Sequence, residues 1–223
     1  MIEYIESIDI EVFKVLNGMH NAFFDEFMWL VSGKFSWILM CATLIYISFK
    51  KDWKSGVSIV VMVALTIALS DQIASTVIKH SVERLRPTRT EALIPIVHTV
   101  NGYIGGMYGF VSSHAANSFG VAILLTLLLK DKKFGVSIFC WAALLSYSRI
   151  YLGVHFPGDI LGGAMVGLLM GFLVYKIYLL MCGSKYRLYV KMCSIDTKEI
   201  NLLTGSIYVN MCILLALAAI NML

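Results

Sequence analysis

Charged residues are scarce in this sequence. Asp, Glu, Lys and Arg make up 14% of its 223 residues, where an average soluble domain has roughly 25%. Hydrophobic residues reach 59%, above the roughly 45–50% of soluble proteins. So few charges cannot cover so apolar a chain in water. The composition therefore excludes an ordinary soluble domain and indicates a membrane protein.

Proline and cysteine are also few. Three prolines are too few for long linkers, and no repeat or low-complexity tract divides the chain, so we predict one domain over residues 1–223. The five cysteines follow no metal-ligand or disulfide spacing, and we expect buried or reduced thiols. They are Cys41, Cys140, Cys182, Cys193 and Cys212. Residues 1–10 carry acidic side chains and no basic one, which argues against a cleavable signal peptide.

Long apolar segments are the main feature that is present. A spanning helix needs about 20 apolar residues, and six segments approach that length, the first interrupted near residues 32–34. The predicted spans are 27–49, 57–78, 113–129, 134–151, 157–181 and 200–222. Residues 5–19 mix apolar and acidic side chains, which predicts a helix at the membrane interface ending at Asn17-Gly18. The predicted fold is all-α: a polytopic membrane helix bundle of about six transmembrane helices plus an N-terminal interfacial helix.

Basic residues are unevenly distributed over this topology. Ten of the eighteen Lys and Arg residues lie in the connections after spans one, three and five. They are Lys50, Lys51, Lys54, Lys130, Lys132, Lys133, Lys185, Arg187, Lys191 and Lys198. Because cytoplasmic connections are enriched in basic residues, that side should be cytoplasmic. We therefore predict a multi-pass protein of a bacterial inner membrane whose opposite face looks into the periplasm.

Polar residues gather on that opposite face from three separate stretches. Lys79, Arg86 and Arg149 supply three cations, and arginine binds phosphate through paired hydrogen bonds. Ser112 or Ser113 caps the third span, whose first N–H groups are free to bind an anion. Each residue alone is ordinarily a membrane-end anchor or a helix cap. Their joint placement indicates a phosphate site.

Two histidines complete this group. His155 lies just before Pro157, which suits the first turn of a helix, and Asp159 follows four residues after His155. The Asp159 carboxylate can thus fix the tautomer of His155 and stabilise its charged form. His114 opens the third span from the same face. The set predicts a site that binds a phosphate group and attacks it.

Asp71 stands apart because it lies inside a predicted span, where an ionisable side chain is costly and usually has a partner. It precedes Lys79 by about two helical turns. Two interpretations stay open: a structural role, or support of Lys79 or a neighbouring backbone group from behind the site.

The three stretches resemble the signature of the type 2 phosphatidic acid phosphatase family, integral membrane lipid phosphatases that share their site with the vanadium haloperoxidases. The family's first motif, Lys, six residues and Arg-Pro, matches residues 79–87. Its third, Ser-Arg, five residues, His, three residues and Asp, matches Ser148 to Asp159 in full. Its second, Pro-Ser-Gly-His, reads Val111-Ser112-Ser113-His114 here, with valine for proline and serine for glycine.

The resemblance implies a role for each matching residue. His155 would be the nucleophile and form a phosphohistidine, Asp159 would orient it, and His114 would protonate the leaving oxygen and then activate water. The residues implied to bind the phosphoryl oxygens are Lys79, Arg86, Arg149, Ser112 and Ser113. Ser148 joins Asp71 as a supporting residue behind the site. The resemblance implies no metal and no cofactor.

The membrane setting predicts a phosphorylated membrane lipid as substrate, since a soluble phosphoester would not need six spans. The bilayer is the other partner; we expect no nucleic acid and no required protein partner. The chain is similar to bacterial outward-facing enzymes acting on lipid A or undecaprenyl diphosphate. Lipid A phosphate is our first choice from that resemblance and undecaprenyl diphosphate the alternative, ahead of phosphatidylglycerol phosphate and phosphatidic acid. The glycine-containing loop 88–110 is expected to roof the site.

Three other interpretations are weighed against a phosphatase. A phosphotransferase would pass the phosphoryl group from the same histidine to a sugar hydroxyl, and the sequence does not separate the two. A transporter could use Asp71 and the glycine-rich fifth span, but its ionisable residues should line a path across the bilayer instead of one face. An inactive scaffold is disfavoured because every acid, base and cation of the signature is present.

Overall fold

The computed structural model describes residues 2–51, 53–183 and 195–222. Its α-helices are α1 Ile2–Gly18, α2 Ala22–Val31, α3 Ile38–Lys51, α4 Trp53–Asp71, α5 Lys79–Val82, α6 Ser113–Leu129, α7 Lys132–Tyr151, α8 Pro157–Gly183 and α9 Thr197–Ile220. A π-helical segment, Gln72–Ile78, joins α4 to α5, and a 3-10 turn covers Pro87–Arg89. These ranges contain no strand. The predicted all-α membrane bundle is confirmed.

The described helices differ in their capacity to span a membrane. Four helical runs are long and apolar enough: Trp53–Val82, Lys132–Tyr151, Pro157–Leu180 and Thr197–Ile220. Helices α3 and α6 are apolar but shorter, in the class of 10–17 residues. The predicted total of about six membrane-spanning helices therefore stays a prediction.

The predicted first span, 27–49, is interrupted as expected near residues 32–34. It divides into α2 and α3 around residues 32–37, because several side chains there bond to the end of α2. The Trp37 indole N–H donates to the Val31 carbonyl at 2.9 Å, and the Ser36 hydroxyl donates to the Leu30 carbonyl. These bonds satisfy carbonyl groups that a helix end leaves free. The break places Ser32, the C-cap of α2, near the candidate site.

The second predicted span is longer than expected. The helix does not stop at residue 78 but continues through the π-helical segment to Val82, and Glu83 ends it in the left-handed region with φ 52°. Lys79 therefore lies on a helix and not in the following loop. Single π-helical turns inside α-helices occur frequently at functional sites, and this one directly precedes the first motif.

Helix α1 packs against the segment that carries His155. The buried ring of Phe13 contacts the ring of Phe156 edge-on, with centroids 5.3 Å apart. The buried Asn17 amide donates to the carbonyl groups of Ile150 and Tyr151, at 3.2 and 2.8 Å. In the described part of the chain α1 is not among the apolar spans. Its position at the membrane interface stays a prediction.

A stripe of glycines brings α6 and α8 into close contact; the sequence predicted only that Gly162, Gly163, Gly167 and Gly171 permit close contacts with another helix. Gly163, Gly167 and Gly171 lie four residues apart on one face of α8, and a Cβ on any of them would lie within 2.4 Å of a backbone oxygen at or near α6. Gly162, also in the predicted set, faces the Val111 side chain. The close approach fixes the first turns of α6 and α8 side by side, which is where the second and third motifs lie.

We expect Gly167→Ala to lower the unfolding temperature in detergent. Its new Cβ would lie 2.1 Å from the Ala116 carbonyl oxygen, a backbone atom that cannot rotate away, and overpacking of this kind costs about 1–3 kcal/mol. Gly205→Ala is the matched control, because no heavy atom lies within 4 Å of a Cβ in that part of α9. That variant should be neutral or more stable by about 0.5–1 kcal/mol. Equal unfolding temperatures for the two variants would contradict the close contact.

The described cysteines Cys41, Cys140 and Cys212 are free thiols, but they are exposed. Of the expected buried or reduced thiols they are the reduced kind, and they lie on the outer faces of α3, α7 and α9. The side chain of Cys182 and all of Cys193 lie outside the described residues. So do Lys185, Arg187 and Lys191, which entered the prediction of orientation.

Candidate active site

The three motif stretches meet at one end of the bundle. His114 lies in the first turn of α6, and His155 lies in the short segment between α7 and α8. The Ser112 N–H donates to the Asp159 carbonyl oxygen at 2.9 Å and so ties the second motif to the third. The Arg86 N–H donates to the Met107 carbonyl at 3.2 Å and holds the first motif to the following loop. Both imidazoles therefore belong to the same face.

The hydrogen bonds of His155 define its tautomer. Arg86 Nη1 lies 3.2 Å from His155 Nε2, and a guanidinium has donors only, so Nε2 must be the unprotonated nitrogen. On the other side of the ring, Nδ1 donates to Asp159 Oδ2 at 3.2 Å. The imidazole is 1% exposed. A buried histidine is thus held with its lone pair directed toward an arginine.

Charge and burial both favour the neutral form of His155. Burial, followed by the charges of Arg86, Arg149 and Lys79, holds the pKa of His155 well below its usual value. A folded-state pKa below the unfolded one means that the imidazole stays neutral as the pH falls through the usual range near 6.5. A neutral imidazole with a free lone pair is a nucleophile. The site keeps His155 in that form.

Asp159 is fully buried, and both of its carboxylate oxygens are bonded. Oδ2 accepts from His155 Nδ1 and from the Phe156 N–H, the latter at 3.0 Å. Oδ1 accepts from Arg84 Nη1 at 3.1 Å. Sequence reasoning missed Arg84, which falls among the six variable residues of the first motif. Its side chain is 18% exposed, and it also pairs with Asp9 of α1 at 2.7 Å.

Arg149 is buried and anchored from two sides. Its Nη2 donates to the Tyr103 hydroxyl at 3.1 Å and its Nη1 donates to the Ser32 hydroxyl. Its Nε is buried without a hydrogen-bond partner among the described residues, which leaves a donor for a bound oxyanion. Ser32 was interpreted only as part of an interruption in a span, and nothing in the sequence pattern marked Tyr103.

The loop 88–110 contributes directly to this arrangement. Tyr103 contacts Arg149, and the Tyr108 carbonyl accepts from Arg86 Nε at 3.0 Å. The Thr88 hydroxyl donates to the Ile104 carbonyl at 2.7 Å and closes the loop on itself. The loop thus lies against Arg86 and Arg149, in agreement with the expectation that it covers the site.

Lys79 and the start of α6 form the remaining side of the site. Lys79 Nζ donates to the Ser113 hydroxyl at 3.1 Å. Ser112 is the N-cap of α6, and its fully buried hydroxyl accepts from the Ala115 N–H. The serine that replaces the family's glycine therefore has a specific partner. Its hydroxyl positions the Lys79 ammonium at the helix N-terminus, where anions bind favourably.

The two predicted supporting residues differ in their placement. The charge of Asp71 acts on Lys79, and its backbone carbonyl accepts from the Ser75 hydroxyl. Ser75 in turn lies 3.5 Å from the Ser113 hydroxyl. Ser148 is fully buried, but its hydroxyl donates to the Leu145 carbonyl within α7, at 2.7 Å. Its hydroxyl is therefore used inside the helix and not on the other site residues.

His114 lies between the cations and an apolar cavity. The charges of Arg149, His155, Lys79 and Arg86 all act on its imidazole. A cavity of about 270 Å³ extends from it among mainly apolar side chains of α3, α4, α6 and α7, with Trp37 and Trp141 in its wall. An acid-base group at the boundary of a charged pocket and an apolar cavity is suitably placed for a phosphate group that is attached to a hydrophobic chain.

Comparison with known proteins gives a consistent result. Residues 55–180, which include all three motif stretches, match the model of the PAP2 superfamily. Lipid A 4'-phosphatases of Bacteroides thetaiotaomicron and Porphyromonas gingivalis are 42% and 39% identical to this chain over 179 and 178 residues. These matches cover 79% of this chain and 80% and 75% of those proteins. The crystal structure of Aquifex aeolicus LpxE has a TM-score of 0.57 at 26% identity, covering 75% of this chain and 94% of that one.

Proposed function

The chain belongs to the PAP2 superfamily, and on this premise we propose that it hydrolyses a phosphate group from a membrane lipid, with His155 as the nucleophile. The observation that carries the proposal is the pair of contacts on the His155 ring. Asp159 accepts a hydrogen bond from Nδ1–H, and Arg86 lies at the free lone pair of Nε2. An oxyanion bound by Arg86 would therefore have its phosphorus atom next to the attacking nitrogen.

Binding of the phosphate group uses the cations around His155. Arg86 and Arg149 offer guanidinium donors, Lys79 an ammonium, and the start of α6 its free N–H groups. Three positive charges can neutralise a phosphate dianion without a metal ion. Among the described residues, no group of three His, Cys, Asp or Glu side chains could hold one. Metal independence is part of the proposal.

The reaction proceeds in two transfers. His155 Nε2 attacks phosphorus, the bond to the lipid oxygen breaks, and His114 donates a proton to that oxygen. The positive charge on the phosphorylated imidazole is stabilised by the Asp159 carboxylate, which accepts a hydrogen bond from Nδ1 while the proton stays on the ring. His114, now neutral, takes a proton from water, and the oxygen of that water attacks phosphorus. The P–N bond breaks, inorganic phosphate leaves, and His155 is regenerated.

The proposed lipid is lipid A. The support is that the two relatives at 42% and 39% identity are lipid A 4'-phosphatases and that the site adjoins an apolar cavity. Undecaprenyl diphosphate remains the alternative substrate. A sugar hydroxyl in place of the water of the second transfer would make the same site a phosphotransferase.

The proposed location is the periplasmic face of a bacterial inner membrane. The site lies at the N-terminal ends of α6 and α8, whereas Lys130, Lys132 and Lys133 lie at the opposite end, where α6 ends and α7 begins. Basic connections favour the cytoplasmic side. This distribution supports an outward-facing site.

The decisive experiment is turnover of a lipid panel by protein purified in detergent. Bisphosphorylated lipid A, undecaprenyl diphosphate, phosphatidylglycerol phosphate and phosphatidic acid are incubated separately, with free phosphate and lipid mass as readouts. We expect lipid A to lose one phosphate and to release it as inorganic phosphate. Release only from undecaprenyl diphosphate would overturn the lipid A proposal. A phosphorylated acceptor in place of free phosphate would indicate the transferase, and a His155→Ala preparation controls for contaminating phosphatases.

A further inference from the structure

The geometry points to Asp9 and Arg84 as positioning residues that set the orientation and the charge of the catalytic His155–Asp159 pair. The inference rests on the proposed role of His155. Neither residue belongs to a motif that sequence reasoning identified, and Asp9 lies on α1, outside the segment that matches the family model. Their side chains nevertheless form a continuous chain of contacts that ends on Asp159.

One guanidinium nitrogen joins the two carboxylates. Arg84 Nη1 lies 2.7 Å from Asp9 Oδ2 and 3.1 Å from Asp159 Oδ1. The three side chains are 18%, 11% and 0% exposed, respectively, so water screens their interactions weakly. Charges of alternating sign therefore run in a line from α1 to the catalytic carboxylate.

A second set of contacts holds this line in place. Asp9 Oδ1 accepts from the Gly158 N–H at 2.7 Å, directly before Asp159 in the chain. The Arg84 guanidinium carbon lies 4.2 Å from the centre of the Phe156 ring, a cation–π distance. The same Phe156 ring also contacts the ring of Phe13 of α1 edge-on. Helix α1 thus holds residues 156–159 in place through the Asp9–Arg84 ion pair, a hydrogen bond to the Gly158 backbone and the contact between two aromatic rings.

The orientation of Asp159 depends on Arg84. Asp159 Oδ2 serves His155 Nδ1 and the Phe156 N–H, and Arg84 is the partner of the other oxygen. With both oxygens bonded, the carboxylate cannot rotate away from the imidazole. The tautomer with a free lone pair at Nε2 requires this orientation.

The charge of the pair depends on Asp9. Arg84 alone would offset the negative charge of Asp159 and weaken its stabilisation of the phosphorylated imidazolium. Asp9 offsets Arg84, so the catalytic pair retains one net negative charge against the surrounding Lys79, Arg86 and Arg149. His114 is the other titratable group that faces the pair, from α6.

Removal of each partner should therefore shift the pH dependence in opposite directions. In Asp9→Asn no negative charge offsets Arg84, so protonation of His155 becomes less favourable. The acid limb, the low-pH side of the pH profile of kcat, should therefore move to lower pH. Arg84→Gln removes a positive charge, and the limb should move to higher pH. The double variant removes one charge of each sign and should return the limb toward the wild-type position. We expect each single variant to lower kcat at least tenfold with little change in KM.

The test uses full-length protein in detergent, with p-nitrophenyl phosphate and the lipid panel as substrates. Glu11→Gln is the matched control on α1, since Glu11 is exposed and pairs only with Lys14 within the described contacts; it should leave kcat and the limb unchanged. Shifts of the two single variants in the same direction, or wild-type kcat in both, would overturn the inference. Thermal unfolding identifies a variant that fails to fold, and in that case Arg84→Lys, which keeps the charge, must restore the wild-type limb.

A second readout separates this inference from the proposed function. Titration of ¹⁵N-labelled histidines by NMR reports the protonation of His155 without any turnover. If the pH midpoint of the His155 titration moves in opposite directions in Asp9→Asn and Arg84→Gln, the positioning role is supported even if no phosphorylated substrate is hydrolysed. If the protein hydrolyses a lipid phosphate but the midpoint of the His155 titration is unchanged in both variants, the proposed phosphatase function is supported and the role of Asp9 and Arg84 is overturned.

Discussion

Phosphate release by the His155→Ala variant is expected to fall by on the order of 10⁴–10⁶-fold, as for the loss of a nucleophile in other covalent enzymes. The reason is that Nε2 of His155 is an unprotonated ring nitrogen whose lone pair is directed toward Arg86, the residue proposed to bind the phosphoryl group. The effect is measured as the initial rate of phosphate release from a lipid that the wild-type protein hydrolyses. A base-quenched reaction, digested and analysed by mass, should show phosphohistidine on the peptide containing residue 155 in wild type and none in the variant.

The matched control for this prediction is His80→Gln. His80 is exposed on α5 at the same end of the bundle and lies outside the site, so its loss should leave turnover within about twofold of wild type, as for most surface substitutions. His155→Ala leaves Arg86 and Asp159 with an unfilled space between them. His155→Gln, which keeps a polar group there, should therefore be tested beside it. Turnover near the wild-type rate in either His155 variant would remove the proposed mechanism.

The His114→Ala variant is expected to lose about 10²–10⁴-fold of its lipid phosphatase activity, the usual contribution of a general acid-base group. The loss should depend on the leaving group. A lipid alkoxide needs a proton from His114, whereas p-nitrophenolate leaves without one. With p-nitrophenyl phosphate the first transfer should persist while the second, which needs a base, stays slow. We therefore expect a burst of p-nitrophenol and accumulation of phosphohistidine at His155.

This combination distinguishes acid-base catalysis from a purely structural role. A structural defect would lower both transfers for both substrates alike. Equal losses for the lipid and for p-nitrophenyl phosphate, with no accumulated phosphohistidine, would contradict the assignment of His114. His80→Gln serves again as the histidine control, and both variants should unfold at temperatures close to that of wild type.

The general architecture was accessible from local sequence. Apolar segments of spanning length predicted the helices, and the glycines of the fifth span predicted a close helix contact without identifying α6 as the partner. The interruption near residues 32–34 was also predicted, but not the contacts that cause it. The break between α2 and α3 depends on Trp37 and Ser36 reaching back to α2. The extension of α4 beyond residue 78 depends on a π-helical segment that no residue pattern announced.

The residues that the structure brings together at the candidate site were accessible for a similar reason. Lys79, Arg86, His114, His155 and Asp159 lie in three short stretches whose internal spacing the chemistry constrains. The partners that hold them were not accessible. Ser32 and Tyr103 reach Arg149 from distant parts of the chain, and Asp9 reaches Arg84 across 75 residues. Contacts between residues far apart in the chain produce no periodic pattern in the amino-acid sequence.

The chain's composition and motif spacing were sufficient to predict a membrane helix bundle with a candidate phosphate site at one end, because burial in lipid and phosphoryl chemistry each demand particular residue types at short range. They could not identify which nitrogen of His155 carries the proton, or which charges surround Asp159. Those properties arise from hydrogen bonds between α1, the loop before α6, and the segment between α7 and α8. Their geometry exists only once helices far apart in sequence have packed together.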